Sequence, residues 1–141
     1  MEKMNREDIK NLIPHREPML LIDEVERTGE DTCIGYYIVK GDEYFLQGHF
    51  PGNPVVPGVI LCEMMAQASC IMLNVTGATP YFTSLNNVKF KSMVKPGDKI
   101  MFDCFLTGQK DPFYFVSGKG FVNEKLCVSA DMSFAIIKEK V

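Results

Sequence analysis

The chain has 141 residues, 33 of them charged (15 basic and 18 acidic), a formal net charge of −3, two histidines, five cysteines and no tryptophan. That length predicts one domain over residues 1–141, able to bury about 68% of its unfolded surface, so neither disulfides nor a structural metal is needed to hold a core. The near-zero mean hydropathy, a longest apolar run broken by Glu63 and Gln67, and the charged N-terminus argue against a membrane span or a secretory signal and lead to the expectation of a soluble, cytoplasmic protein.

In chain order, the amphipathic segment Arg6 to Ile13 predicts a helix that stops before Pro14. Met19 to Val25 is apolar and Cys33 to Val39 is rich in β-branched and aromatic residues, which predicts two strands with a turn around Gly29 between them. Leu46 to Pro57 reads as a loop punctuated by Gly48, Pro51, Gly52, Pro54 and Pro57. Its prolines make it stiff. Gly58 then opens the run Val59 to Val75, in which only Glu63, Gln67, Ser69 and Asn74 are polar. As a helix this run would be roughly 25 Å long, and a helix apolar on nearly every face belongs in the middle of a fold. Strands are predicted over Phe82–Phe90, Lys99–Thr107, Phe113–Val122 and Lys125–Ile137, the last two joined by the tight turn Asn123-Glu124 as a hairpin. The sum is an α+β fold in which a curled antiparallel β-sheet wraps around a long central helix. What the sheet leaves open must be covered by its own curvature or by a second subunit.

The charges are unevenly spread. A stretch of 45 residues should carry roughly ten of them by average composition, yet Tyr44 to Val88 holds one, Glu63. Residues 1–31 carry five basic and nine acidic side chains, a local net of −4, whereas Asn86 to Lys99 sets Lys89, Lys91, Lys95 and Lys99 against Asp98, a local net of +3. The acidic balance of the whole gives no support for nucleic-acid binding. A local basic edge suits an acidic partner. The cysteines, at positions 33, 62, 70, 104 and 127, include no C-x-x-C pair and no histidine at zinc-ligand spacing. They are expected to be reduced thiols packed as small hydrophobes, with no metal site; a reactive Cys62 would need a neighbouring base.

Three features could do chemistry. Glu63 stands in the second turn of the long helix with Gln67 at i+4 above it, among Leu61, Met64, Met65 and Ala66. Such surroundings favour the neutral carboxyl and raise its pKa, which suits a proton donor that Gln67 could orient. The competing reading is a buried acid paired with an arginine or a water. His49, in Gly48-His49-Phe50-Pro51-Gly52 on the stiff loop, has the side chain whose ordinary pKa of about 6.5 makes it a usable base, although a lone loop histidine also serves as a backbone brace. His15, in Pro14-His15-Arg16, is read as structural. At Pro57-Gly58 the first N–H groups of the helix lack internal acceptors and Gly58 permits close approach, so a developing oxyanion could bind there; an ordinary helix start would look the same. Base, acid and oxyanion donor together fit proton abstraction beside a carbonyl with loss of a β-hydroxyl as water. An inert binding module would not need a lone acid at the centre of its most apolar helix.

Gly48-His49-Phe50-Pro51-Gly52-Asn53-Pro54-Val55-Val56-Pro57-Gly58-Val59, followed by Glu63 and Ala66-Gln67, resembles the signature of the FabZ-type (3R)-hydroxyacyl-[acyl-carrier-protein] dehydratases of type II fatty-acid synthesis. Ile13-Pro14-His15-Arg16-Glu17-Pro18-Met19-Leu20-Leu21-Ile22-Asp23 and Val88-Lys89-Phe90-Lys91 with Val94-Lys95-Pro96-Gly97-Asp98 extend the likeness over nearly the whole chain. The resemblance implies a hot-dog fold and a homodimer with active sites at the interface, commonly as a trimer of dimers. It implies His49 as base, Glu63 from the partner subunit as acid, the Gly58 amide polarising the thioester carbonyl, and Gln67 supporting Glu63. It further implies substrate delivered by acyl carrier protein on a phosphopantetheine arm, with no metal or dissociable cofactor. A glutamate as the acid resembles the FabZ branch more than the isomerising FabA branch. Lys89, Lys91 and Lys95 are expected near the tunnel mouth, where they would attract the acidic carrier protein; a solvated turn is the plainer reading. A hot-dog acyl thioesterase is the enzymatic alternative.

Overall fold

The computed structural model describes residues 2–73 and 75–138. Helix α1 (Arg6–Leu12) begins at a capping box, in which the Asn5 side chain accepts from the Asp8 N–H and the Asp8 carboxylate accepts from the Asn5 N–H. It stops ahead of Pro14 as expected. Before it lies a strand the sequence did not signal, β1 (Lys3–Asn5), too short for any alternation and formed by pairing with β2 (Glu24–Arg27).

The strand expected over Met19 to Val25 is therefore displaced to Glu24–Arg27. Residues 19–23 run beside the sheet: the Met19 and Leu20 N–H groups donate to the Arg16 carbonyl and the Asp23 N–H to the Tyr36 carbonyl, and side chains satisfy much of the rest. The Arg6 guanidinium donates to the carbonyls of Leu20 (2.7 Å) and Ile22 (3.2 Å) and to the Asp23 carboxylate (3.0 Å). Gln67 bonds both the Leu21 N–H and the Met19 carbonyl. Leu20, Leu21 and Ile22 are nonetheless fully buried, so their apolarity reported burial rather than strand pairing.

With β3 (Thr32–Ile38), β4 (Thr79–Phe90), β5 (Lys99–Lys110), β6 (Phe113–Val122) and β7 (Lys125–Ile137) the sheet has seven antiparallel strands in the order β1-β2-β3-β5-β6-β7-β4. The expected β6–β7 hairpin forms, and its turn residues Asn123 and Glu124 take positive φ (49° and 67°), the geometry a two-residue hairpin turn requires.

Helix α2 (Gly58–Ser69) is followed by a 3-10 turn, Cys70–Met72. The helix is thus about 18 Å long and stops short of the expected Val75. Apolarity continues past Ser69, but the chain tightens: the Leu73 N–H donates to the Cys70 carbonyl at 3.1 Å and the Val75 N–H to the Leu73 carbonyl at 3.0 Å. Asn74, counted in the same polar set, lies outside the described residues. From Leu61 to Ser69 every residue except Glu63 is buried, which agrees with a central helix. It lies against β3, β5, β6 and β7. Contact is close enough that a Cβ on Gly35 would stand 2.6 Å from the Ala68 Cβ, and one on Gly118 2.6 Å from the Met65 sulfur. Only glycine lets the strands curl this tightly onto the helix. A curled antiparallel sheet around one buried helix is the hot-dog fold. Among the described residues no helix is long and apolar enough to cross a membrane.

Candidate active site

His49 sits at the start of a loop that folds on itself. Phe50 and Asn53 exchange backbone hydrogen bonds (3.0 and 2.9 Å), the Val55 N–H donates to the His49 carbonyl (2.8 Å), and the Val56 N–H ties the loop to Val94 (2.9 Å). Gly48 and Gly52 take the positive φ values, 79° and 72°, that these reversals need. The His49 ring stacks on Phe50 with centroids 4.2 Å apart. Its Nδ1 lies 2.8 Å from the Val55 carbonyl oxygen. A carbonyl can only accept, so in the neutral ring Nδ1 carries the proton and Nε2 the lone pair. His49 thus has both a fixed ring and a free basic nitrogen, and the loop brace of the plainer reading is what fixes its tautomer.

His49 lines a groove together with Val55, Pro57, Gly58, Phe90, Lys91 and Met93. Gly58 begins α2, and among the described residues its N–H makes no hydrogen bond. Its lack of a side chain has a concrete cause, because a Cβ there would meet the Phe90 ring at 2.7 Å. The close approach expected at Gly58 is made here by Phe90.

Glu63 is in a different pocket, narrow and lined by His15, Ala66, Gln67, Cys70, Pro80, Phe82 and Phe134. Its side chain keeps 22% of its exposure. Gln67, 2% exposed, uses its whole amide: Oε1 accepts from the Leu21 N–H (2.7 Å), and Nε2 donates to the Met19 carbonyl (2.8 Å) and to Glu63 Oε2 (2.8 Å). Gln67 therefore holds Glu63 as expected and also anchors residues 19–21, a second duty not visible in the i+4 spacing. Among the described residues no arginine pairs with Glu63. His15, read from sequence as structural, has its Nε2 3.5 Å from Glu63 Oε2. The Pro14-His15-Arg16 block was a visible motif, but its meeting with Glu63 across 48 positions had no signal in the sequence. Within one chain, His49 and Gly58 line one cavity and Glu63 and Gln67 another.

The five cysteines are all buried free thiols, as expected of small hydrophobes. Burial pushes the Cys62 thiol up, and burial followed by the Glu63 charge pushes Cys70 up to about 12. Neither is primed as a nucleophile. Among the described residues no three His, Cys, Asp or Glu side chains converge as metal ligands. Lys89, Lys91 and Lys95 are exposed. Lys91 is at the rim of the His49 groove, and Lys95 lines the adjoining groove with Lys125, Ser92 and Met93; Lys89 lines neither.

Fold and site together define a FabA-like domain, whose family profile matches residues 13–131. A solved dehydratase heterocomplex, ApeI:P from Xenorhabdus doucetiae, superposes with a TM-score of 0.80 at 19% identity, covering 91% of this chain and 90% of that one. A hypothetical thioesterase from Streptococcus pneumoniae solved with coenzyme A superposes with a TM-score of 0.63 at 11% identity, covering 83% and 87%. Likeness at these identities establishes the fold. Sequence goes further: the chain is 38% identical over 137 residues to the 3-hydroxyacyl-[acyl-carrier-protein] dehydratase FabZ of Clostridium perfringens, spanning 94% of this chain and 99% of that protein. The chain belongs to the FabZ family of dehydratases.

Proposed function

We propose that His49 removes the α-proton of a 3-hydroxyacyl thioester and that Glu63 protonates the departing hydroxyl. The chain is a hydro-lyase that dehydrates 3-hydroxyacyl-[acyl-carrier-protein] to the 2-enoyl thioester in fatty-acid biosynthesis. The observation that carries the residue roles is the Nδ1–Val55 contact at 2.8 Å, which in the neutral ring places the lone pair on Nε2, in the groove that also contains Gly58. A thioester carbonyl accepting from the Gly58 N–H at the positive end of α2 would have its α-carbon acidified as enolate-like charge develops. The base then takes the proton, the C3–O bond breaks, and Glu63 supplies the proton that makes the leaving group water.

Since Glu63 lines a separate pocket of its own chain, the reading pairs each His49 with Glu63 of the partner subunit. Strand β4 supports this: it is the sheet's edge, and it exposes Phe82, Leu85 and Phe90, an apolar row that a second copy of the chain would cover. The 1–141 chain then acts as one hot-dog domain of a homodimer, itself assembled as a trimer of dimers in the cytoplasm. The phosphopantetheine arm arrives as part of the substrate and both proton transfers are given to side chains, so the reaction as written uses no dissociable cofactor. Lys91 and Lys95, with Lys89 further along β4, would guide the acidic carrier protein to the groove mouth.

His49→Ala and Glu63→Gln are each expected to lower kcat for carrier-bound 3-hydroxyacyl substrate by about 100- to 10,000-fold with the oligomer intact by light scattering. Near-normal turnover by either variant would end the assignment. Following enoyl formation and free thiol in one assay separates dehydration from the thioesterase reaction, and turnover of either kind excludes a pure binding module.

A further inference from the structure

His15 is unassigned by the proposed reaction, yet it is the second polar group on the carboxyl of Glu63. Its Nε2 is 3.5 Å from Glu63 Oε2, the oxygen that also accepts from Gln67 Nε2 at 2.8 Å. The other ring nitrogen, Nδ1, is shut off from solvent and has no hydrogen-bond partner. A proton on Nδ1 would be a buried donor with no acceptor, which is more costly than a bare lone pair there. The neutral tautomer with the proton on Nε2 is thus favoured, and Nε2 is the ring nitrogen on the Glu63 side, 3.5 Å from Oε2. Among the described residues no hydrogen bond reaches Glu63 Oε1. The carboxyl has two sides: Oε2, which accepts from Gln67 and has His15 Nε2 3.5 Å away, and Oε1, which no protein donor among the described residues reaches.

We propose that His15 is a positioning residue for Glu63, holding Oε2 together with Gln67 so that Oε1 is the oxygen that carries and delivers the proton. The inference rests on Glu63 being the acid of the proposed function. A proton on Oε2 would face the Gln67 N–H that already donates there and the His15 nitrogen beside it, so the neutral acid has its proton on Oε1. When the C3–O bond breaks, its electron pair stays on oxygen and the Oε1 proton completes a water molecule. The Cα–H pair becomes the new double bond and His49 retains that proton. Glu63 is left as a carboxylate whose charge rests against two donors on Oε2, so His15 favours the charged state that forms as water leaves. One proton passed from His49 to Glu63 by way of solvent resets the site. The remaining walls around His15 are apolar except for Cys70: Ala66, Pro80, Phe82 and Phe134 offer it no other charged partner.

The test uses the intact oligomer and 3-hydroxyacyl-carrier protein. His15→Leu, which keeps bulk and removes the donor, should lower kcat about tenfold with KM within about twofold, since the contact strengthens as charge develops. His15→Gln, whose amide N–H can stand where Nε2–H stands, should recover kcat to within about threefold of the parent. If His15→Leu does not fold, His15→Asn, too short to reach Glu63, takes its place with the same expected loss. A glutamine variant as impaired as the leucine or asparagine variant, or a leucine variant with the parent's kcat, overturns the proposal. Glu63→Gln, assayed in parallel, separates the two claims: if it is inactive while His15→Leu is fully active, only the positioning role fails, whereas an active Glu63→Gln removes the acid itself.

Discussion

The two cavities of the site are built in opposite ways. Around His49 nearly everything is local: the ring is fixed by Val55, six residues on, and the loop's reversals are closed by its own backbone and by two glycines at positive φ. Around Glu63 almost nothing is. Its carboxyl is met by Gln67 one helical turn away and by His15 from the other end of the chain, and Gln67 in turn is seated by Met19 and Leu21, which Arg6 holds in place through Leu20 and Ile22. The His49 ring keeps its geometry whenever its loop is formed. The Glu63 carboxyl is only as well placed as the packing that brings these distant residues together.

That contrast can be broken at several points. The largest effect is expected at Gln67→Leu, which strips the donor from Glu63 and leaves the buried Leu21 N–H and the Met19 carbonyl unpaired. A loss of about 2–4 kcal/mol in unfolding free energy should accompany the fall in kcat. Thermal and urea melts check it, and a variant as stable as the parent would mean that the distant network does not hold residues 19–21. On the other side, Gly58→Ala drives a Cβ into the Phe90 ring at 2.7 Å. Phe90 is 53% exposed and can swing aside, so stability should change by less than about 1 kcal/mol, whereas kcat/KM should fall about tenfold because the ring is pushed into the groove beside His49. Equal losses of stability and activity would show that the groove is not as locally determined as its contacts suggest. The smallest effect concerns the rim. Lys91→Glu combined with Lys95→Glu should raise KM for carrier-bound substrate several-fold at low salt, with the gap closing as ionic strength approaches about 0.5 M. An unchanged KM would return these lysines to the role of a solvated turn.

Much of the fold was legible because burial and turn chemistry leave marks along the chain. The central helix showed in the one-charge window, and the β6–β7 hairpin in Asn123-Glu124. Met19 to Asp23 misled for an instructive reason: an apolar run reports that side chains are buried, while the partner of its backbone is decided elsewhere, here by the guanidinium of Arg6 and the amide of Gln67. Likewise α2 ends at Ser69 although the apolar run continues, since composition does not say where an α-helix tightens into a 3-10 turn. β1 escaped notice because three residues are too few to carry a period.

By itself, the sequence determined which stretch is buried and which of its residues are candidates for chemistry: His49, Glu63, Gly58 and Gln67 all lie in the window nearly empty of charge, because a buried stretch cannot keep charges without a use or a partner for them. The tertiary structure alone decided how those residues are equipped. It gave His49 a single tautomer through a backbone carbonyl, set the Phe90 ring over Gly58, and brought His15 to within 3.5 Å of Glu63. Such contacts depend on distances between residues far apart in the chain, and these are fixed only when the sheet has closed around the helix.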